Sequence, residues 1–279
     1  MTVRVARPIR SLAGIAVTAL LAATLVGCKT TGSVDVTGSV GSPPGARSDA
    51  EWRSEAQALG DKFRSNPRDP DVAIRYAQAL RATGQRAQAA AVLETAALHH
   101  PNHKPLLGAF GRALADIGNF KQALEVLARA HSPDQPDWRI LSVQGAVLDQ
   151  MGRHEEAQRY YASALRIVPD EPSVLSNLGL SYALSKDLKR AEETLRRAAE
   201  RGGSDKRVRQ NLALVVGLQG RFQEAETIAK ADLPPEEAAA NVAYLRRMTA
   251  QNSTAPTNLK KTLRSRAVQG LDPVEGDGT

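Results

Sequence analysis

Side chains able to carry covalent or metal chemistry are few in this chain and do not converge. His99, His100 and His103 gather around Pro101. Three histidines can hold zinc, but His99 and His100 are adjacent and diverge at a helix end. They are expected to finish a helix in solvent, and a zinc-dependent or enzymatic function would have to be built on them alone. Cys28 is the only cysteine of the 279 residues, so no disulfide can form within the chain. There is no phosphate-cradling glycine loop, no Gly-x-Ser-x-Gly elbow and no His-Glu-x-x-His pair. The expectation is a binding protein and not an enzyme, with no catalytic residue, cofactor or metal.

Cys28 acquires a role from what precedes it. Arg4, Arg7 and Arg10 stand ahead of an apolar run from Leu12 to Val26, short for a bilayer span but suited to the core of a signal peptide. The run ends Leu25-Val26-Gly27-Cys28, which resembles the lipobox of bacterial lipoproteins. That resemblance implies that residues 1–27 are removed and that Cys28 becomes a lipidated N-terminus. Each buried methylene of an acyl chain contributes about 0.8 kcal/mol, so multiple acylation anchors a soluble domain stably. Lys29 follows the cysteine, where these lipoproteins carry an aspartate when retained at the inner membrane. Its absence implies the outer membrane, on the periplasmic side. Residues 28–48 are rich in Gly, Ser, Thr, Val and Pro, with Thr-Gly-Ser-Val at Thr31 and again at Thr37. They read as a flexible tether with a reach of roughly 25 Å.

Beyond the tether the chain repeats. Ala77, Gly111, Gly145, Gly179 and Ala213 lie 34 residues apart, and each is followed twelve positions later by Ala89, Ala123, Ala157, Ala191 or Ala225. Ala96, Ala130, Ala164 and Ala198 form a third column, which Asp232 breaks in the last unit. Small residues at fixed spacing let two antiparallel helices, and then successive pairs, approach closely. Gly84, Gly118, Gly152 and Gly220 fall between the paired helices, where a left-handed residue ends the first of them; Lys186 replaces glycine in the fourth unit. Leu80, Leu114, Leu148, Tyr182 and Val216 fill a large apolar position, with Leu93, Leu127, Tyr161 and Leu195 opposite. An alanine-rich bundle with coincidental spacing does not account for three columns and the turns in one register. The pattern resembles the tetratricopeptide repeat family over residues 70–235, which implies an all-α solenoid of about five helix-turn-helix repeats.

The ends of such a stack need covers. Residues 49–69 predict an N-terminal capping helix, with Asp49 as its cap and Trp52, Ala56, Leu59 and Phe63 on one face. Residues 236–251 predict a C-terminal one, with Ala238, Val242 and Leu245 aligned. Residues 252–279 are polar and punctuated and are expected to be disordered.

The chain carries 37 basic and 30 acidic residues; losing Arg4, Arg7 and Arg10 would leave a net charge of +4. Basic residues concentrate between Lys186 and Arg209, where solvated helix faces are the plainer reading and an acidic partner or anionic headgroups the other. Aromatic residues make up only 4% and no reading module is present, so nucleic acid is excluded as a partner.

The family resemblance implies that first helices line a concave groove, reached by positions one and four after each small residue, with the neighbouring fifth position extending the same strip. In the first half these include Gln78, Arg81, Arg112, Asp116, Asp149 and Gln150, which are polar. In the second half Leu180, Leu184, Leu214 and Leu218 make the wall apolar. That wall is either a partner site or is covered by the helix after Pro235. Asn177 and Asn211 stand where the family's peptide binders hydrogen-bond a ligand backbone. Ser142 and Ala146 leave the chaperone-tail carboxylate clamp incomplete.

Asn211-Leu-Ala-Leu-Val-Val-Gly-Leu-Gln-Gly-Arg221 and Ala238-Ala-Ala-Asn-Val-Ala-Tyr-Leu-Arg246 are similar to the fifth repeat and capping helix of the TadD lipoproteins of the Flp (Tad) pilus assembly system. That resemblance implies a scaffold that binds the pilus secretin, or a neighbouring component, and helps it localise or assemble. An adaptor for outer-membrane β-barrel assembly or for peptidoglycan hydrolases is the alternative.

Overall fold

A computed structural model describes residues 47–202 and 205–251. Cys28, its leader, the tether to residue 46 and the segment 252–279 lie outside the described residues. Among those described there are twelve helices and no strand: α1 Asp49–Ser65, α2 Pro70–Ala82, α3 Arg86–His99, α4 Lys104–Asp116, α5 Phe120–Arg129 and α6 Trp138–Gln150, then α7 His154–Ile167, α8 Pro172–Leu184, α9 Leu188–Gly202, α10 Lys206–Leu218, α11 Phe222–Ala229 and α12 Pro235–Gln251. This is the all-α paired-helix solenoid that the columns predict. Five pairs, α2–α3 through α10–α11, lie between α1, packed on α2, and α12, packed on α10 and α11.

Local chemistry starts each pair at the same place. Asp69, His103, Asp137, Glu171 and Asp205 precede the five first helices, again 34 residues apart. The side chain of each accepts a hydrogen bond from a backbone amide of the first turn, relieving the unpaired donors that every helix N-terminus carries. At α1 the cap is Ser48 and not Asp49: its hydroxyl accepts from the Glu51 amide while the Glu51 carboxylate accepts from the Ser48 amide at 2.5 Å. Asp49 is instead the first helical residue.

Each first helix ends on a left-handed residue. Gly84, Gly118, Gly152 and Gly220 have φ between 79° and 84°, and Lys186 takes the same conformation at φ 69°. A side chain there brings Cβ against the carbonyl, a strain that glycine avoids.

The first small column faces the large residue opposite, not only the alanine. A Cβ on Gly145 would lie 2.7 Å from the Tyr161 ring, one on Gly179 would lie 2.6 Å from Leu195, and Gly111 abuts Leu127 in the same way. The first pair buries Ala77 with Leu93 in one cluster, and the fifth buries Ala213 with Ala229 in another. Asp232, which breaks the third column, is buried against α10 and accepts from Arg209 Nε at 2.7 Å.

Two polar networks join units. Asp149 is fully buried, where the groove reading had placed it facing outward. One of its carboxylate oxygens accepts from Ser181 of α8 at 2.8 Å and bonds His154 Nδ1 of α7 at 2.8 Å, and the other accepts from the Tyr161 hydroxyl at 3.1 Å. Burial pushes the Asp149 carboxyl up, with the hydrogen bonds from His154, Ser181 and Tyr161 opposing. Further on, Glu192 of α9 receives Arg221, Arg196 and Gln219, tying α9 to the α10–α11 turn. The Arg221 hydrogen bonds hold its carboxyl down at about 2, against an ordinary value of 4.5, with Arg196 and Gln219 adding to them against a smaller opposing effect of burial.

Three outcomes are expected. Lys186→Gly relieves the left-handed strain and stabilises the fold by about 1 kcal/mol in urea unfolding. Asp149→Ala strands the Ser181, Tyr161 and His154 groups and destabilises by about 3 kcal/mol in the same measurement. The lowered Glu192 carboxyl contributes stability that is complete above pH 4.5 and disappears as pH falls toward 2. Wild type is therefore expected to melt above Glu192→Gln at neutral pH, with the gap closing in acid; a gap independent of pH contradicts this.

Candidate protein-binding groove

Successive first helices touch one another, α2 on α4, α4 on α6, α6 on α8 and α8 on α10. The second helices pack on the first helices before and after them instead. The stack therefore bends with the first helices on the inside of the curve, where the groove residues were expected.

The inner face is polar and partly open in its first half. Gln78, Arg81, Arg112, Asp116 and Gln150 are half-buried there. Arg81 of α2 forms an ion pair with Asp116 of α4, with side chains only 14% and 5% exposed, so the two are committed to each other across the unit boundary. Arg112 is different. Its Nε is shut off from solvent with no hydrogen-bond partner, and among the described residues no carboxylate pairs with its guanidinium. Burial, then Arg81, hold this guanidinium below the usual arginine range, with Arg139 adding to them and Asp137 and Asp116 opposing.

In the second half the expected apolar wall is absent. Leu180, Leu184 and Leu214 are buried, and only Leu218 is half-exposed. The first helices approach so closely that these leucines interlock, in one cluster with Val215 and with Val242 and Leu245 of α12. Leu245 also seats against Gly217, where a Cβ would come within 2.9 Å. The wall is thus closed by the first helices against one another, and the helix after Pro235 covers only its last unit, packing on α10 and α11.

The asparagines serve the stack as well. Asn177 Nδ2 donates to the Ser142 hydroxyl at 3.3 Å, and Asn211 Nδ2 donates to the Ser176 hydroxyl at 3.0 Å. All four residues are buried, so these amide groups act as rungs between α6, α8 and α10 and do not project toward a ligand. The same two-residue pattern, serine in one unit and asparagine 35 positions later, was present in the sequence but reads there as ligand contacts.

The histidines do separate work. His100 Nε2 lies 2.6 Å from the Arg68 carbonyl, His103 caps α4 and His99 is exposed. Among the described residues no group of three or more metal-ligating side chains occurs. No helix there is long and apolar enough to cross a membrane. The basic run from Lys186 to Arg209 is largely neutralised locally, Arg196 by Glu192 and Glu224, Arg197 and Arg201 by Asp170, and Arg209 by Asp232.

Comparison with known proteins agrees with this geometry. The sequence profile of the tetratricopeptide repeat family matches residues 80–146 and 150–215. No curated protein matches the chain. Among solved structures, PilW, a widely conserved type IV pilus biogenesis factor, is similar with a TM-score of 0.54 at 17% identity, over 77% of this chain and 91% of its own. A thermophilic tetratricopeptide protein of Thermus thermophilus has a TM-score of 0.54 at 20% identity, over 60% of this chain and 91% of its own. The Cut9–Hcn1 assembly has a TM-score of 0.57 at 14% identity, over 78% of this chain and 46% of that one. At these identities the likeness is one of fold. Profile, column spacing and stacked helix pairs agree: residues 80–146 and 150–215 are tetratricopeptide repeats, the fold of a scaffold for protein–protein interaction.

Proposed function

We propose that this protein is a lipid-anchored scaffold on the periplasmic face of the outer membrane that serves assembly of a Flp (Tad) pilus by binding its secretin or a neighbouring component. The observation that carries the reading is Leu25-Val26-Gly27-Cys28, behind a basic and apolar leader and ahead of a repeat stack whose role is to bind protein. Cys28 is the attachment point, residues 29–48 are the tether and Lys29 directs the anchor outward. The similarity of residues 211–221 and 238–246 to the TadD lipoproteins supports the pilus assignment. So does the fold shared with PilW, a type IV pilus biogenesis factor, although a shared fold alone does not select a machine.

Two measurements test it. Cys28→Ser is expected to lose metabolic palmitate labelling and to leave the membrane fraction; continued labelling would place the lipid elsewhere. In cells making the pilus, the same variant is expected to lower the amount of heat-stable secretin multimer in the outer membrane at constant total secretin. An unchanged multimer, in this variant and in a strain lacking the protein, would remove the pilus role.

A further inference from the structure

Across unit boundaries Arg81 pairs with Asp116 and Arg221 with Glu192, whereas Arg112 has no carboxylate partner among the described residues. Its position makes the exception informative. Arg112 lies on α4, on the inner face, between α2 and α6, with Gly108 one turn earlier so closely packed that a Cβ there would lie 2.8 Å from Ile140 of α6. The guanidinium is thus held in a tight seam with its Nε unsatisfied. Burying part of a cation without a partner is unfavourable.

The charges around it do not compensate. Arg81 and Arg139 stand with Arg112 against Asp116 and Asp137, which leaves an excess of one positive charge. Both aspartates are already engaged. Asp116 holds Arg81, and Asp137 caps α6 by accepting from the Arg139 amide at 2.7 Å. Arg139 itself lies over the Trp138 ring, 4.5 Å from its centroid. One carboxylate arriving from outside would complete the balance, and the planar fork of arginine suits a carboxylate in two-point contact.

We propose that Arg112 is the anchor for an acidic side chain of a partner polypeptide lying along the polar half of the inner face, beside Gln78 and the Arg81–Asp116 pair. The inference deepens the reading of that face as the partner surface, and rests on it, but it does not depend on which machine supplies the partner. The chemistry recognised is a carboxylate on an extended segment. The second half of the face is closed by its leucine seam, so the segment is confined to the units carrying α2, α4 and α6.

The test uses the full chain in non-ionic detergent and a fluorescein-labelled peptide, Gly-Ser-Glu-Gly-Glu-Ser-Glu-Gly, with its glutamine counterpart, read by fluorescence anisotropy. The glutamate peptide is expected to bind wild type and to bind Arg112→Gln about tenfold more weakly, a difference of about 1.4 kcal/mol. Arg112→Lys, which keeps the charge and loses the fork, should recover little of that loss. Because Arg112 has no internal partner, its replacement is expected to leave the melting temperature equal or higher, which a purely structural arginine would not do.

The proposal is overturned if the glutamate peptide does not bind wild type, or if it binds wild type and Arg112→Gln equally. It is likewise overturned if the glutamine peptide binds as well as the glutamate one. Self-association of wild type in sedimentation, abolished in Arg112→Gln, would hand the site to a second copy of the chain. The secretin measurement above is independent of these readouts, so failure here and failure of the pilus role are distinguishable.

Discussion

Paired helices in this protein meet where one side chain has been reduced to hydrogen or methyl. Gly145 beneath the Tyr161 ring and Gly179 beneath Leu195 leave no room for a Cβ, and Gly111 meets Leu127 likewise. Such a contact sets the distance between the two helices of a unit, and that distance sets how the next unit docks. Because the contact recurs with the period of the repeat, each unit presents nearly the same surface to its neighbour. In the fifth unit both of these positions are alanine, Ala213 and Ala229, and both are buried.

With the interval fixed, polar groups can be buried between units without being stranded. Ser142–Asn177 and Ser176–Asn211 form two equivalent rungs on the inner side, and Asp149 collects Ser181, Tyr161 and His154 in the middle of the stack. Hydrogen bonds of this kind contribute modestly when made and cost more when one partner is lost, so they specify alignment of the units more than they add stability. The middle of the solenoid is accordingly closed. The first units keep half-buried charged groups on the same face, and the last is covered by α12 through Val242 and Leu245. Partly open polar groups are therefore left toward the N-terminal end of the stack.

Much of this architecture is legible in the sequence because its causes are local or periodic. The three small columns, the turn glycines and the caps each act within one or two helical turns. The cap column of Asp69, His103, Asp137, Glu171 and Asp205 is equally periodic, yet its variety of residue types hides it. His103 stands out in the sequence as one of a histidine group and proves to be the second unit's cap. Asp49 and Ser48 are both good capping residues, and only the reciprocal bond with Glu51 decides between them.

The sequence by itself determined a chain of five helix pairs with covers at both ends, since side-chain size, capping chemistry and glycine's freedom at positive φ act over short spans. Which inner-face residues stay open was decided only by the tertiary structure. Leu180, Leu184 and Leu214, Asn177 and Asn211, and Asp149 occupy positions that face outward on a single helix and become interior when neighbouring first helices close upon them. Arg112 shares that face and remains without a partner. The difference arises from how nearly adjacent first helices approach and from which side chains stand across the seam, quantities that belong to the assembled stack and to no one repeat.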